Sequence, residues 1–569
     1  MQNIKNILVW LLLFTTMQSI VAQKYFEKNI GWEKWHNASK ILERPNGSYI
    51  ITGSVSNGNV WHSYSLLLDS VGNTYQINDY FFNSYYTGSN ITELIKTANG
   101  YTVAGYINDT MSTSNLYYLQ LSENGIITDS LFIGTDSTVN VGYALCNTFD
   151  GGYFAGGSYH TLNNYMQPYL VKIDSNNNVQ EELVYTQYAE PGINFFTAIY
   201  PIQNQFSYYA IGRYKSNNFV GKVLLAQLDT NGLVIRDTLY SFSDRDVAIQ
   251  LAELPDGGSL IIGQSTDTDN IKHGLILKLY PDWTVAWYNP NHFYDGSAGG
   301  CFVAADGNYI IAGYREYIYP PMPFDYDGEI VKLNPDGSLR WKRIFGGEGD
   351  DYIYDAIEGA DGSIIVCGRT ESNIADGGAN AWILKLNCMG LLTEPQAAFS
   401  ATMDTAALTA SFQNLSQFVY PDSTDGGHFI WDFGDGTAPQ IDNAAFVSHT
   451  FPAYGTYTVR LTAVVCSDTS VVEQVVGVFP VGLPQMGMGG FSVYPNPAHN
   501  QATLNYQFGD IHSGTLVITD IQGRLIKQAN LQGNGRYVLS TQDMPSGVYI
   551  YSISEQGKVL LRDKLVLVK

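Results

Sequence analysis

The stretch GSYIITG at residues 47–53 decides the fold, because similar stretches return six more times along the chain. Each copy is a short apolar run that ends in glycine. A second apolar phrase follows each copy and runs into a tight turn, as in EIVKLNPDG (329–337). Asn, Asp and Gly favour the backbone angles of hairpin turns, so each repeat contains paired strands. The closing glycines are Gly53, Gly105, Gly156, Gly212, Gly263, Gly313 and Gly368.

A period near fifty residues with several short strands per copy is typical of β-propeller blades rather than of solenoids. Seven copies predict a seven-bladed β-propeller over residues 23–393. The strand-like segment KYFEKNIG (24–31) precedes the first copy, and we expect it to pair with the last blade and close the ring. Closure removes the free strand edges that favour aggregation.

These repeats resemble the kelch-like and delta-60-like blades of outer-surface propellers. The phrase NPDGSLRW (334–341) also resembles the blade motif of quinone-binding propellers, in which a Trp stacks between blades. Only Trp341 and Trp287 preserve that Trp, so we expect no quinone.

The first residues predict export. Lys5 precedes an apolar run from Ile7 to Phe14, which indicates a signal peptide over residues 1–22, cut between Ala22 and Gln23. No later segment is apolar enough to span a membrane. The formal net charge of −23 argues against a nucleic-acid partner, which needs clustered Lys and Arg. The 56 glycines and 41 tyrosines, with only 15% charged residues, are typical of a turn-rich all-β extracellular protein.

Five cysteines are scattered without a CxxC pair. Their odd number excludes a fully paired framework, and buried free thiols are expected. Cys367 and Cys388 fall in neighbouring predicted strands, so a disulfide between them is an alternative.

One face of the propeller is the candidate ligand surface, since the loops between second and third strands gather there. Aromatic rings beside hydrogen-bonding groups suit a glycan or a protein loop. A chain so rich in tyrosine also places many of them in loops by chance. The candidate residues are Trp61, His62, Tyr159, His160, Arg213, Tyr214, Tyr314, Arg315 and Arg369.

No catalytic motif of a hydrolase or phosphate-binding enzyme is present, and we expect neither a catalytic residue nor a cofactor. The acidic pairs Asp350–Asp351 and Asp267–Asp269 could bind Ca²⁺ or act as acid and base, but such residues are more often solvated caps of turns. Two functions follow. The first is a non-enzymatic surface protein that binds a glycan or protein, and the alternative is a polysaccharide-degrading hydrolase or lyase with carboxylates at the channel mouth.

Residues 394–480 follow a different pattern. HFIWDFGDGT (428–437) precedes a strand from Tyr457 to Val465 in which every second residue is apolar. These phrases resemble the PKD domain, an immunoglobulin-like β-sandwich. The resemblance implies a spacer in which Trp431 anchors the core, Gly434 and Gly436 form a turn, and Asp432 and Asp435 are structural.

A linker at 481–490 leads to a small β-sandwich at 491–569, in which Gly547 precedes an edge strand. This segment resembles the type A C-terminal sorting domain of the type IX secretion system. The resemblance implies export to the outer cell surface or the medium, with the secretion machinery and a sortase as partners. The matching residues are Tyr494, Pro495, Asn496, Pro497, Asp520, Gly523, Arg524, Gly547 and Lys569.

Overall fold

A computed structural model describes the protein over residues 24–568. Ala22, Gln23 and Lys569 lie outside the described residues, as does nearly all of the predicted linker. The undescribed stretches within the range are residues 59, 83–85, 110–113, 135–138, 161–165, 189–191, 203–204, 216–219, 318–324, 373, 375–376, 405–407, 420–426, 479–489, 509–512 and 556–557.

The chain divides into two compact units. The first runs to Gln396 and includes Gln417–His428 and Ala463–Ser470. The second comprises Ala397–Ser416, Phe429–Thr462 and Val471–Lys569.

Within its described residues, the first unit contains seven groups of four antiparallel strands. Strand β1 (Phe26–Ile30) belongs to the last group. The first three groups are β2 (Trp35–Glu43), β3 (Tyr49–Ser56), β4 (Trp61–Leu68) and β5 (Thr74–Tyr80); β6 (Tyr86–Thr97), β7 (Gly100–Asp109), β8 (Ser114–Leu121) and β9 (Ile127–Ile133); and β10 (Val139–Asn147), β11 (Tyr153–His160), β12 (Met166–Ile173) and β13 (Val179–Val184).

A 3₁₀ turn at Thr186–Tyr188 leads to the remaining groups. They are β14 (Phe195–Ile202), β15 (Ser207–Lys215), β16 (Gly221–Leu228) and β17 (Val234–Tyr240); β18 (Arg245–Glu253), β19 (Ser259–Thr266), β20 (Lys272–Leu279) and β21 (Val285–Tyr288); β22 (Ser297–Val303), β23 (Tyr309–Tyr317), β24 (Asp325–Leu333) and β25 (Leu339–Phe345); and β26 (Asp351–Glu358), β27 (Ile364–Thr370) and β28 (Asn380–Leu386), which β1 completes.

The first strands of the seven groups form a closed series. Each of β2, β6, β10, β14, β18, β22 and β26 contacts the first strand of the next group, and β26 contacts β2. Strand β1 pairs with β28, with Phe26 opposite Lys385 and Ile30 opposite Ala381. The expected pairing of the early segment is thus confirmed, as is the all-β fold. We interpret the seven groups as the blades of a propeller.

Each first strand carries a β-bulge opposite the repeated glycine of the second strand. A Cβ atom on Gly53 would lie 1.8 Å from the carbonyl oxygen of Asn37. Only glycine therefore fits where the bulged backbone approaches so closely. In the third repeat this position belongs to Gly157, whose Cβ would lie 2.2 Å from the Val141 oxygen, so the predicted Gly156 is one residue early.

The alternative disulfide between Cys367 and Cys388 is wrong, and so is the expectation of a free thiol at Cys388, because Cys388 is bonded to Cys466. Cys367 lies inside β27 opposite Ile383, with its thiol fully buried in the core. Cys388 lies beyond the end of β28, so adjacent strands do not bring the two sulfurs together. Cys146, Cys301 and Cys367 are the buried free thiols that the odd count predicted.

The stacking of Trp between blades is found at both positions that keep it. A Cβ on Gly337 would lie 2.9 Å from the Trp287 ring, and the Trp287 indole donates to the carbonyl of Pro335 at 3.1 Å. Trp341 lies in the same way against Gly390. The two Trp residues thus have a packing role at turns of the following blades.

The PKD-like segment folds into two sheets, as predicted. The first is β29 (Phe399–Asp404), β30 (Thr409–Asn414) and β33 (Phe446–Thr450), and the second is β31 (His428–Asp432), β32 (Gln440–Ile441), β34 (Gly455–Val465) and β35 (Asp468–Val478). Trp431 is fully buried, with the rings of Phe399 and Phe412 at 5.3 and 5.6 Å.

The acidic residues of this segment hold its turn. Asp432 accepts a hydrogen bond from the amide of Gly434, and Asp435 accepts one from His449 Nε2 at 2.7 Å. Burial opposes ionisation of Asp435, but its hydrogen bonds to Thr437 and His449 outweigh burial and lower its pKa to about 2. Gly434 and Gly436 adopt positive φ angles of 70° and 88°. These contacts fit the structural role predicted for both Asp residues.

The C-terminal segment is a second β-sandwich. One sheet is β36 (Phe491–Tyr494), β37 (Gln501–Tyr506) and β40 (Gly535–Ser540), and the other is β38 (Ser513–Asp520), β39 (Leu525–Gln532), β41 (Gly547–Glu555) and β42 (Lys558–Leu567). The strand that begins at Gly547 lies between β38 and β42, so the prediction of an edge strand there is wrong.

Two sorting-motif phrases have clear structural roles. Asn496 donates to the carbonyl of Lys564 and accepts from the amide of Val566, both at 2.8 Å, and so holds the chain against β42. Asp520 accepts from the backbone and side chain of Arg524 across the β38–β39 turn. Pro495 and Pro497 follow β36 and flank Asn496, and Tyr494 is 75% exposed.

Candidate functional site

The predicted ligand residues lie at one end of the blades, which we call the upper face. First and third strands begin there, and second and fourth strands end there, because neighbouring strands are antiparallel. The prediction that these residues lie in loops is wrong, since the strands continue past the repeated glycines. Trp61 and His62 begin β4, Tyr159 and His160 end β11, and Arg213 and Tyr214, Tyr314 and Arg315, and Arg369 lie near the ends of β15, β23 and β27.

Most of the predicted residues pack within their own part of the ring. The His62 ring lies 4.1 Å from the Phe81 ring and 3.7 Å from Asp79, and burial lowers its pKa. Tyr159 contacts Tyr169, and Tyr214 contacts Tyr188. Trp61 and His160 are half-buried at strand ends. These side chains do not form one common site.

Tyr314 and Arg369 do come together, in a tyrosine cluster on the last two blades. The ring of Tyr352 lies 4.7 Å from Tyr314 and 5.4 Å from Tyr326, and the Arg369 guanidinium lies 4.6 Å from its centre. Tyr352 also donates to Asp350 at 3.0 Å. Arg315 Nε lies 3.5 Å from the buried Glu329.

The acidic pair beside this cluster is engaged in the fold. Asp351 is fully buried and accepts from the Gly347 amide and the Ser372 hydroxyl. Asp350 accepts from the amide of Tyr326 at 3.3 Å. Asp267 accepts from two amides of its own turn, as the predicted solvated cap does. Among the residues that the structure describes, no three His, Cys, Asp or Glu side chains are arranged to hold a metal ion.

A cleft of about 430 Å³ opens on the upper face at the fifth blade. The rings of Phe242 and Tyr288 stack in it at 4.2 Å and 15°. Tyr294 is 46% exposed, and His273 lies edge-on to it at 5.8 Å. The full lining is Phe242, Ser243, Ser265, Asp267, His273, Tyr288, Pro290, Asn291 and Tyr294.

None of the nine predicted residues lines this aromatic cleft. Its walls come from three separate connections, around residues 242, 267 and 291, which lie side by side at the fifth blade. In the sequence, the aromatic residues of the connections between blades were the one signal that could have indicated this cleft.

Comparison with known proteins assigns the two C-terminal segments. Residues 492–568 match the family described as secretion system C-terminal sorting domain. The protein is exported by the type IX secretion system. Residues 392–465 of this type IX substrate match the PKD domain. No helix among its described residues is long and apolar enough to cross a membrane.

The exported protein matches no curated protein, but several solved structures are similar to it. A fungal alcohol oxidase of the AA5 family in complex with copper has 12% identity and a TM-score of 0.41, over 96% of this chain and all of that one. Sqt1 from Chaetomium thermophilum has 11% identity and a TM-score of 0.34, over 78% and 98%. A protein of unknown function from Dyadobacter fermentans has 12% identity and a TM-score of 0.35, over 63% and 98%. Likenesses this weak support no conclusion about activity.

Proposed function

We propose that this secreted or cell-surface protein binds a glycan in the aromatic cleft of its propeller. The cleft is the observation that carries the proposal, because its volume of about 430 Å³ is that of a small-ligand site. Flat rings such as Tyr294 offer a sugar a large contact area at small entropic cost. Asp267, Asn291 and Ser265 supply polar groups at the same surface.

The tyrosine cluster is a second aromatic surface on the same face. Its Tyr352 ring is already covered by Arg369 and held by Asp350, so fewer ring faces remain for a ligand. We therefore assign it a supporting role. A glycan that extends along the upper face could contact both surfaces. If the ligand is instead an extracellular protein, the protein will bind none of the polysaccharides in a glycan panel.

Cleavage of polysaccharides is the competing function, and the carboxylates support it less well. Glycosidases need two carboxyl groups that are available to the sugar. Glu93 and Asp355, from first strands of different blades, are both held by Lys40 Nζ at 3.4 and 3.7 Å. Burial and the nearby Asp325 and Asp351 raise the pKa of Asp327 to about 6, but Asp327 is only 4% exposed.

The proposed partners are a surface glycan and, during export, the machinery and sortase that process such sorting domains. The PKD domain is proposed as a spacer between propeller and sorting domain. The boundaries of the signal peptide, the propeller, the PKD domain and the linker, at residues 22, 393, 480 and 490, stay predictions from the sequence.

Binding and turnover should be measured together on the full-length protein with a panel of immobilised polysaccharides. We expect retention without released product, and Tyr294→Ala should weaken retention about three- to tenfold, the ratio expected for one aromatic contact. Tyr280→Ala is the matched control, because Tyr280 is 53% exposed and lies at the opposite end of the same blade. Equal loss in both variants would refute the cleft as the site, and released product would favour the hydrolase.

A further inference from the structure

A cationic pocket of about 270 Å³ lies on the upper face beside the aromatic cleft. The two cavities share strand β19. Gln264 and Thr266 line the pocket, whereas Ser265 and Asp267 line the cleft. Alternate residues of a strand face opposite sides, so the pocket and the cleft flank one strand end. The other lining residues are Arg213, Arg245, Asp246, Val247, Asn270 and Lys272.

Arg213 gives the pocket its unusual chemistry. Its Nε atom is buried and has no hydrogen-bond partner among the described residues. Its guanidinium lies against Gly221, where a Cβ would be 3.1 Å from Nε and 3.3 Å from Nη2. Burial and the nearby Arg245 cation lower the pKa of Arg213. A buried donor without an acceptor is costly, and an anion in the pocket would remove that cost.

Among the described residues that line the pocket, no carboxylate is free to neutralise its cations. Asp246 is the one carboxylate in its lining, and its two oxygens accept hydrogen bonds from Phe242 N, Ser243 N and Ser265 Oγ. Asp295 accepts from the backbone amide of Lys272, and Arg245 is paired with the neutral Asn270. The pocket lining thus has three cationic side chains and one carboxylate, whose oxygens already accept hydrogen bonds from the protein. This local excess of positive charge occurs in a chain whose formal net charge is −23.

We propose that this pocket binds the carboxylate or sulfate group of an acidic glycan, with Arg213 as the principal donor. The proposal rests on the glycan-binding function and names its ligand class. Arginine presents its N–H groups in a planar fork that matches such oxyanions. A chain that crosses the end of β19 places a sugar ring in the cleft and an acidic substituent in the pocket.

The pocket itself is tested with inorganic sulfate, by calorimetric titration of the full-length protein at constant ionic strength. We expect saturable binding that Arg213→Gln weakens by about tenfold or more, the loss of one charge-assisted hydrogen bond. Lys34→Gln is the matched control, because Lys34 is an exposed cation that precedes β2 on the same face. Arg245→Gln gives an independent variant if Arg213→Gln fails to fold. Sulfate binding that is absent, or unchanged by both pocket variants, overturns the proposal.

The glycan class is tested by retention on neutral dextran, dextran sulfate and polygalacturonate. We expect the acidic polymers to be preferred, and Arg213→Gln to abolish the preference while Tyr294→Ala weakens retention on all bound polymers. Preference for dextran sulfate alone identifies sulfate, and preference for polygalacturonate identifies carboxylate. Equal retention of neutral and acidic polymers refutes this inference and leaves the proposed function standing. Sulfate binding without retention of any polymer refutes the proposed function and reduces the pocket to a simple anion site.

Discussion

Replacing Lys40 with methionine should destabilise the first unit, and most strongly at alkaline pH. Lys40 Nζ lies 3.4 Å from Glu93 Oε2 and 3.7 Å from Asp355 Oδ1. The three residues follow the bulges of β2, β6 and β26, so the ion pairs join three successive blades. Their side chains are only 6 to 18% exposed, so little water can solvate the two carboxylates once the cation is removed.

The magnitude follows from the two carboxylates left behind. Removing one partner of a buried ion pair costs about 3–5 kcal/mol. Since Lys40 and Glu93 keep some contact with water, we expect about 3 kcal/mol near pH 8. Burial already raises the pKa of Glu93 and of Asp355, and Lys40 opposes this rise.

The sign of the pH dependence is fixed by the same contacts. Without Lys40 both carboxyl pKa values rise further above their values in the unfolded chain. The folded state then binds more protons than the unfolded state as the pH falls, and its stability increases. The deficit should shrink by at most about 1.4 kcal/mol per pH unit for each carboxyl group that becomes protonated.

Urea unfolding of wild type and Lys40→Met near pH 8 and near pH 5.5 measures both quantities. Lys34→Met serves as the exposed control and should change the free energy of unfolding by less than about 0.5 kcal/mol. The reasoning is refuted if Lys40→Met unfolds at the wild-type urea concentration near pH 8. It is also refuted if the deficit is the same at both pH values.

Three further predictions concern other parts of the chain. Cys388→Ser should leave four thiols that titrate under denaturing conditions, where the wild type shows three, and five in the wild type would exclude the disulfide with Cys466. Asp435→Asn should lower the melting temperature of the PKD domain at neutral pH. The difference should vanish as the pH falls from 3.8, the ordinary pKa, through about 2, and a pH-independent difference would contradict the ion pair with His449. Deletion of residues 491–569 should leave the propeller folded but retained in the periplasm, and surface display of the truncated protein would disprove the sorting role.

Repetition in the sequence was sufficient to predict the strands of the propeller. The repeated glycine within each second strand is visible in the sequence because every first strand bulges toward it, and the same cause recurs in each blade. The exception at Gly156 arose because Gly157 follows directly and sequence alone cannot distinguish two adjacent glycines. The Asp520–Arg524 turn could likewise be predicted, since its contacts join residues close in sequence. The burial of Trp431 could be predicted from the phrase that resembles the PKD domain, although its partners Phe399 and Phe412 are distant in sequence.

The candidate site could not be predicted in this way. The cleft joins Phe242, Asp267 and Asn291, which come close only after three connections between strands are placed side by side. The pairing of Cys388 with Cys466 spans 78 residues and depends on where β28 ends, which the alternation of residues does not show. The cationic pocket depends on the direction in which the Arg213 side chain points, and the sequence does not show that direction.

The pairing of β1 with β28 links the synthesis of the chain to its export. Glu27 accepts a hydrogen bond from the Trp382 indole across 355 residues, so the first described strand can pair only after β28, the last strand of the ring in chain order, has been made. Contacts so distant in sequence form late in folding. The sorting domain is made later still. A chain interrupted before β28 therefore lacks both the strand that closes the ring and the segment that directs export, so we expect incomplete propellers to stay off the cell surface.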